Sequence, residues 1–211
     1  MEIKKLTILG LSEPTISMIF DNLESNNMFP KTTIISNLEL TPKKDFYNPK
    51  FDYNVVHKIQ DYDSNFLLGV IKSKTKKQVV EYFNNISSYI NLIHKQTAIS
   101  STATMGYGCL INCLVSIAAH SHIGNFVSIN RNASIGHHCT IGNFTSINPN
   151  ATIAGSVKIG SNTTIGMGAN ILDGITIGSN SIIGAGSLVT KNIPDNVVAY
   201  GFPCEVVRKN E

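Results

Sequence analysis

What this sequence has little of narrows it quickly. Charge is sparse: 15% of residues are Asp, Glu, Lys or Arg, against 42% that are apolar. That ratio argues for a packed core rather than a disordered chain. The net charge of +3 is mild and unclustered. It speaks against a nucleic-acid binder and suits an anionic small ligand such as a phosphorylated cofactor. No run approaches the roughly 18 apolar residues needed to cross a bilayer, so no membrane insertion is expected. The opening MEIKKLTILGLSEP holds a short apolar run that stops at Ser12, Glu13 and Pro14 with no small-residue cleavage site. It reads as a first strand, not as a signal peptide. Cys109, Cys113, Cys139 and Cys204 form no CxxC pair and no zinc-like grouping. They read as reduced packing residues of a cytoplasmic protein. No Gly/Ser-rich or Pro-rich linker divides the chain, so any two domains are expected to dock rigidly.

What is present is a repeat. Isoleucine recurs every sixth residue from Ile111 to Ile183 and closes on Val189, with no insertion; Ile99 and Met105 extend the series backwards. Glycine often follows, as at Gly124, Gly136, Gly142, Gly160 and Gly178, and a small or β-branched residue stands four places after the isoleucine, as at Val127, Ala133 and Thr145. A helix cannot hold a period of six on one face. A prism of short strands can, with one large inward residue per face and a small one per corner, and glycine near the corner easing the backbone angles. The isoleucines are too regular and the glycines too sparse for low-complexity sequence.

The first ninety residues read differently. Lys5–Leu9, Thr32–Ile35, 53–59 and 66–71 have strand character; 14–22, opened by Pro14, and 74–85, with Val79, Val80 and Phe83 on one side, have helical character. Alternation of strand and helix predicts a short parallel sheet of Rossmann type. The fold class expected is therefore mixed. Residues 1–90 would form a small α/β Rossmann-like domain, and 91–211 a parallel β-helix.

The repeat resembles the hexapeptide-repeat acyltransferases, in which three hexapeptides make one triangular coil of a left-handed β-helix. The resemblance implies the handedness, which runs against the usual crossover rule. It also implies homotrimers with active sites between neighbouring prisms. Residues eighteen apart then stack at about 4.8 Å. On this arithmetic His138 lies over His120, and His137 lies between Ala119 and Gly155. Two chemistries suit this histidine cluster. Zinc ligation, as in prism-shaped carbonic anhydrases, needs a register that His120, His122, His137 and His138 do not keep, so no metal is expected. In acyl transfer one imidazole, with an ordinary pKa of about 6.5, removes a proton from an amine or hydroxyl as it attacks a thioester. Gly155 over His137 would leave room for that thioester and present an N–H to its carbonyl.

The stretches NLIHKQTAIS, SIGHHCTIGNFTSINPNATIAG and NVVAYGFPCEVVRK are similar to the bacterial sugar acetyltransferases of the bacillosamine-pathway and sialic-acid O-acetyltransferase type. That resemblance implies His137 as general base, Asn130 lining the sugar site, and Gly155, Met167 and Ala185 along acetyl-CoA. It puts Ser146 where the branch has a histidine on the acetyl carbonyl. It implies nucleotide contacts at the first loop, which reads GLSEPTIS here and keeps only Gly10 of the branch's glycines beside an anionic Glu13. It implies them also after the second strand, where Ser36 and Asn37 replace the branch's acidic pair and can still hydrogen-bond a base; the sugar then carries a different nucleotide, or is free. A further departure lies beside the base. The branch has Asp or Glu after its base, where this chain has His138. Between Gln96 and Val189 the only acidic residue is Asp173, two coils from His137 and about 10 Å away by strand spacing. The orienting carboxylate is thus missing, supplied by the N-terminal domain, or replaced by backbone or by His138. The expected activity is acetyl transfer from acetyl-CoA to the amine of a nucleotide-linked deoxyamino sugar by a homotrimer. O-acetylation of a sugar hydroxyl and a non-catalytic scaffold are the alternatives.

Overall fold

A computed structural model describes residues 3–36, 48–58 and 63–211. The N-terminal part opens with β1 (Lys5–Leu9), α1 (Glu13–Ser25), β2 (Lys31–Ile35), β3 (Tyr53–Val56), β4 (Asn65–Leu68) and α2 (Ser73–Tyr82). The strands pair in parallel in the order β3-β2-β1-β4. Pro14 lies in the first turn of α1, where its missing N–H is not needed. Ile16, Ile19, Phe20 and Leu23 of α1 are buried against Leu6, Ile8 and Ile34 of the sheet. Helix α1 runs three residues beyond the expected end, because Asn22 and Asn26 donate side-chain hydrogen bonds to the carbonyls of Ile111 and Ile93 and pin its last turn.

From β5 (Leu92–Ile93) to β21 (Leu188–Val189) the chain is a series of two-residue strands, one per hexapeptide. They stack into three parallel sheets that form the faces of a left-handed prism. The first face carries β5, β8 (Leu110–Ile111), β11 (Ser128–Ile129), β14 (Ser146–Ile147), β17 (Thr164–Ile165) and β20 (Ile182–Ile183); the second carries β6 (Ala98–Ile99), β9 (Ser116–Ile117), β12 (Ser134–Ile135), β15 (Thr152–Ile153), β18 (Asn170–Ile171) and β21; the third carries β7 (Thr104–Met105), β10 (His122–Ile123), β13 (Thr140–Ile141), β16 (Lys158–Ile159) and β19 (Thr176–Ile177). Each strand pairs with the one eighteen residues on, as Ile135 does with Ile153 and Ile153 with Ile171. The isoleucines at every sixth position from Ile111 to Ile183 all point inward and are buried, each contributing about 1.5–3 kcal/mol of apolar transfer. At the far end β22 (Val197–Gly201) joins the first face, and β23 (Cys204–Lys209) folds back on it as an antiparallel hairpin.

The glycines after the isoleucines do a different job from the one expected. None of them has a positive φ. A Cβ on Gly136 would lie 2.5 Å from the backbone of Ala154 in the next coil, so these positions need the absence of a side chain for coils to stack. The left-handed residue comes two places later. Leu114, His120, Phe126, Asn132, His138 and Phe144 all hold φ between 56° and 61°.

The two parts are joined across the first face. Lys76 of α2 is buried at 1% exposure, and its ammonium donates to the carbonyls of Phe126 (2.8 Å) and Thr145 (3.0 Å) and to Ser128 Oγ (3.3 Å). Among the described residues no helix is long and apolar enough to cross a membrane.

Candidate active site

His137 and His138 form the turn between the second and third faces, between β12 and β13. Both are exposed, because Ile135 before them and Cys139 after them take the inward positions. Their Nδ1 atoms lie 3.1 Å apart, so one ring donates to the other. The His138 ring also sits 5.0 Å, centroid to centroid, from that of His120 one coil below. With Nδ1 of His137 turned to its neighbour, Nε2 faces the coil on the other side, where Gly155 stands. A Cβ on Gly155 would lie 2.7 Å from His137 Nε2 and 2.6 Å from Cε1. The imidazole tip therefore occupies room that any other residue at 155 would fill.

Asp173, one coil further, approaches the same gap. Its Oδ1 lies 3.2 Å from that Cβ point and accepts a hydrogen bond from Gly155 N–H at 2.8 Å. One expectation changes here. The Gly155 amide is committed to Asp173 and does not stand open for a thioester carbonyl. Asp173 makes no hydrogen bond to His137, as its two-coil separation predicts, but its carboxylate comes to the same glycine ledge.

Ser146 is corrected as well. It lies on the first face, 4% exposed, and its hydroxyl donates to the Ile71 carbonyl at 2.6 Å and accepts from Ser73 Oγ at 3.1 Å. It belongs to the seam with the N-terminal part and sits on a different face from His137. Asn130, Met167 and Ala185 lie on the turns between the first and second faces, one prism edge away from His137. Asn130 is 6% exposed and accepts from Asn112 at 3.3 Å. Met167 is 58% exposed. A single chain therefore carries His120, His137 and His138 on one edge and these three residues on another.

In the N-terminal part, Gly10 and Ser36 close neighbouring strands at the carboxyl end of the sheet, tied by Gly10 N–H to Ile35 C=O at 2.9 Å. Open parallel sheets bind ligands at that end. Gly10 holds φ +88°, which L side chains rarely adopt. Asn37 lies outside the described residues.

Burial raises the Cys139 thiol above its usual range, and its S–H donates to the Ala154 carbonyl at 3.1 Å; it faces inward and is no nucleophile for the histidine edge. Among the described residues no three His, Cys, Asp or Glu side chains converge as a metal site would require. Sequence reasoning missed Lys76, since a lysine in an amphipathic helix reads as solvated. Its one signal is its place on the same helical stripe as Val79, Val80 and Phe83.

Residues 120–155 and 156–191 match the bacterial transferase hexapeptide (six repeats) profile, so these coils are repeats of that type. No curated protein sequence matches the chain. Solved structures do match it along nearly its whole length. A variant of perosamine N-acetyltransferase from Caulobacter crescentus, in complex with CoA and GDP-perosamine, is 22% identical with a TM-score of 0.86, over 97% of both chains. The acetyltransferase domain of PglB from Neisseria gonorrhoeae FA1090, in complex with acetyl coenzyme A, is 20% identical with a TM-score of 0.85, over 97% of this chain and 100% of that one. WeeI from Acinetobacter baumannii AYE gives 20% and 0.81 over the same shares. The chain shares its fold with these proteins.

Proposed function

We propose that this protein transfers the acetyl group of acetyl-CoA to the amine of a nucleotide-linked deoxyamino sugar, with His137 as general base. The observation that carries the reading is the exposed His137 Nε2 beside the side-chain-free ledge of Gly155, in a fold shared with sugar acetyltransferases solved with CoA and GDP-perosamine or with acetyl coenzyme A. With a proton on His137 Nδ1 shared toward His138, Nε2 holds its lone pair toward the gap. His137 takes one proton from the acceptor ammonium, and the freed nitrogen lone pair attacks the thioester carbonyl. A C–N bond forms, the C–S bond breaks, and the departing sulfur keeps a second proton from the nitrogen. Once the products leave, the exposed imidazolium returns its Nε2 proton to solvent, which restores the lone pair facing the gap while Nδ1 keeps its proton toward His138. A positioned base of this kind contributes roughly 10²–10⁴ in rate.

A homotrimer fits the division of the chain between two edges: the Asn130, Met167 and Ala185 edge of one copy would complete the histidine edge of the next. The carboxyl end of the N-terminal sheet, with Gly10 and Ser36, is the proposed nucleotide end, in a domain taken as residues 1–90. The test is thiol release from acetyl-CoA with UDP-, GDP- and dTDP-linked amino sugars, with the product read by mass spectrometry. His137→Ala lowers kcat by about 10² or more while leaving the trimer intact. An unchanged kcat in that variant removes His137 from the chemistry. O-acetylated product alone would assign the hydroxyl reading instead.

A further inference from the structure

We propose that Asp173 is the residue that makes the site select an amine, holding the acceptor's ammonium between its carboxylate and His137 across the gap at Gly155. The proposal rests on the acetyltransfer reading above and deepens it. It begins from a shared point in space: 2.7 Å from His137 Nε2 and 3.2 Å from Asp173 Oδ1, where no side chain stands because residue 155 is glycine. His137 Nε2 and Asp173 Oδ1 therefore lie no more than about 5.9 Å apart, a span that one nitrogen standing off the glycine ledge bridges with two hydrogen bonds of ordinary length. The two groups ask for the same guest. An ionised carboxylate only accepts, and the imidazole Nε2 lone pair only accepts, so an ammonium with several N–H donors satisfies both, while a hydroxyl with one donor satisfies one.

Asp173 also stands alone. It is the sole acidic residue between positions 97 and 188, and it is exposed. Hydrogen bonds from an ammonium to an anion are about twice as strong as neutral ones.

A structural role for Asp173 exists and can be separated. Elsewhere on the prism the same cap is made by neutral side chains: the Asn125 N–H donates to Asn143 Oδ1 at 2.8 Å and the Ser161 N–H to Ser179 Oγ at 3.2 Å. An asparagine at 173 thus keeps the cap on Gly155 and removes only the charge. The experiment compares wild type with Asp173→Asn. The probes are GDP-perosamine, or whichever amino-sugar nucleotide of the panel is acetylated fastest, and its counterpart with a hydroxyl in place of the amine. Binding is measured by calorimetry without acetyl-CoA, KM and kcat with it, and thermal midpoint throughout. The expected result is an unchanged midpoint, a roughly tenfold or greater loss of amine affinity with a matching rise in KM, and no change for the hydroxyl counterpart. An amine KM within twofold of wild type, or equal losses for both probes, overturns the proposal. Absence of transfer by the wild type to every amine overturns the acetyltransfer reading first, and this assignment with it.

Discussion

The Lys76 ammonium, carried on α2, donates to the Phe126 carbonyl at 2.8 Å from inside the wall of the prism. Burial lowers its pKa to about 7, against an unfolded value of roughly 10.4. Above pH 7 the folded chain therefore binds fewer protons at this site than the unfolded chain, and stability rises with pH by up to about 1.4 kcal/mol per unit. Two groups act in the opposite sense. Burial raises the Cys109 thiol to about 11 and the Tyr89 phenol to about 12; each keeps its proton longer in the folded state, so stability falls as pH climbs past their unfolded values of roughly 8.5 and 10. The thermal midpoint should climb from pH 7 toward about 8.5, level off, and drop above about 10. In Lys76→Met the climb disappears and the drop remains. A midpoint that rises equally in both proteins would remove Lys76 as its source.

Gly155→Ala separates fold from chemistry. The three atoms nearest the added Cβ belong to the ends of His137 and Asp173, both exposed, and φ at this position is not in the left-handed range. Both side chains swing aside, so stability changes by less than about 1 kcal/mol. The imidazole is displaced by its own neighbour, and kcat/KM falls by about 10². Gly136→Ala, one coil below, gives the reverse contrast. Its Cβ strikes the Ala154 backbone, and the coil loses about 1–3 kcal/mol through overpacking. Urea denaturation beside steady-state kinetics reads both.

Ser146→Ala tests the assignment of that hydroxyl to the seam. Loss of its bond to the part-buried Ile71 carbonyl costs about 1–2 kcal/mol of stability. Both kcat and KM stay within about twofold, as for a site remote from the chemistry. A tenfold fall in kcat at unchanged stability would return Ser146 to the thioester.

The prism was legible because burial there is periodic: an isoleucine at every sixth position has one physical meaning, and the pairing of Ile135 with Ile153 follows from it. The glycines beside them were read for backbone freedom, whereas a Cβ at Gly136 fails on space, a property of the neighbouring coil that a single strand does not display. Asp173 was placed by the spacing of backbones; its reach depends on what residue 155 lacks, which is a fact about three stacked positions together. Ser146 was misplaced because nothing in a two-residue strand says which face the N-terminal part will cover. The division of His137 and Asn130 between two edges follows from counting hexapeptides, once three of them are known to make a coil.

Tyr89→Phe should stabilise the protein, an uncommon outcome for a buried position. The Tyr89 ring is 8% exposed and packs edge-on against Phe126, with centroids 4.8 Å apart, and against Phe66 at 6.3 Å. Its hydroxyl is buried and has no hydrogen-bond partner among the described residues, so folding strips it of water without a protein bond in return. Leaving a buried donor unpaired costs about 1–3 kcal/mol, while the ring contacts survive in phenylalanine unchanged. The variant should gain on the order of 1 kcal/mol, seen as a rise in the thermal midpoint at pH 7. It should also lose the share of the alkaline decline that comes from a phenol held near 12: both changes have one cause, the same dehydrated oxygen, so they must appear together. A loss of stability would mean that the oxygen has found a partner after all, and the alkaline decline would then be the place to look for it.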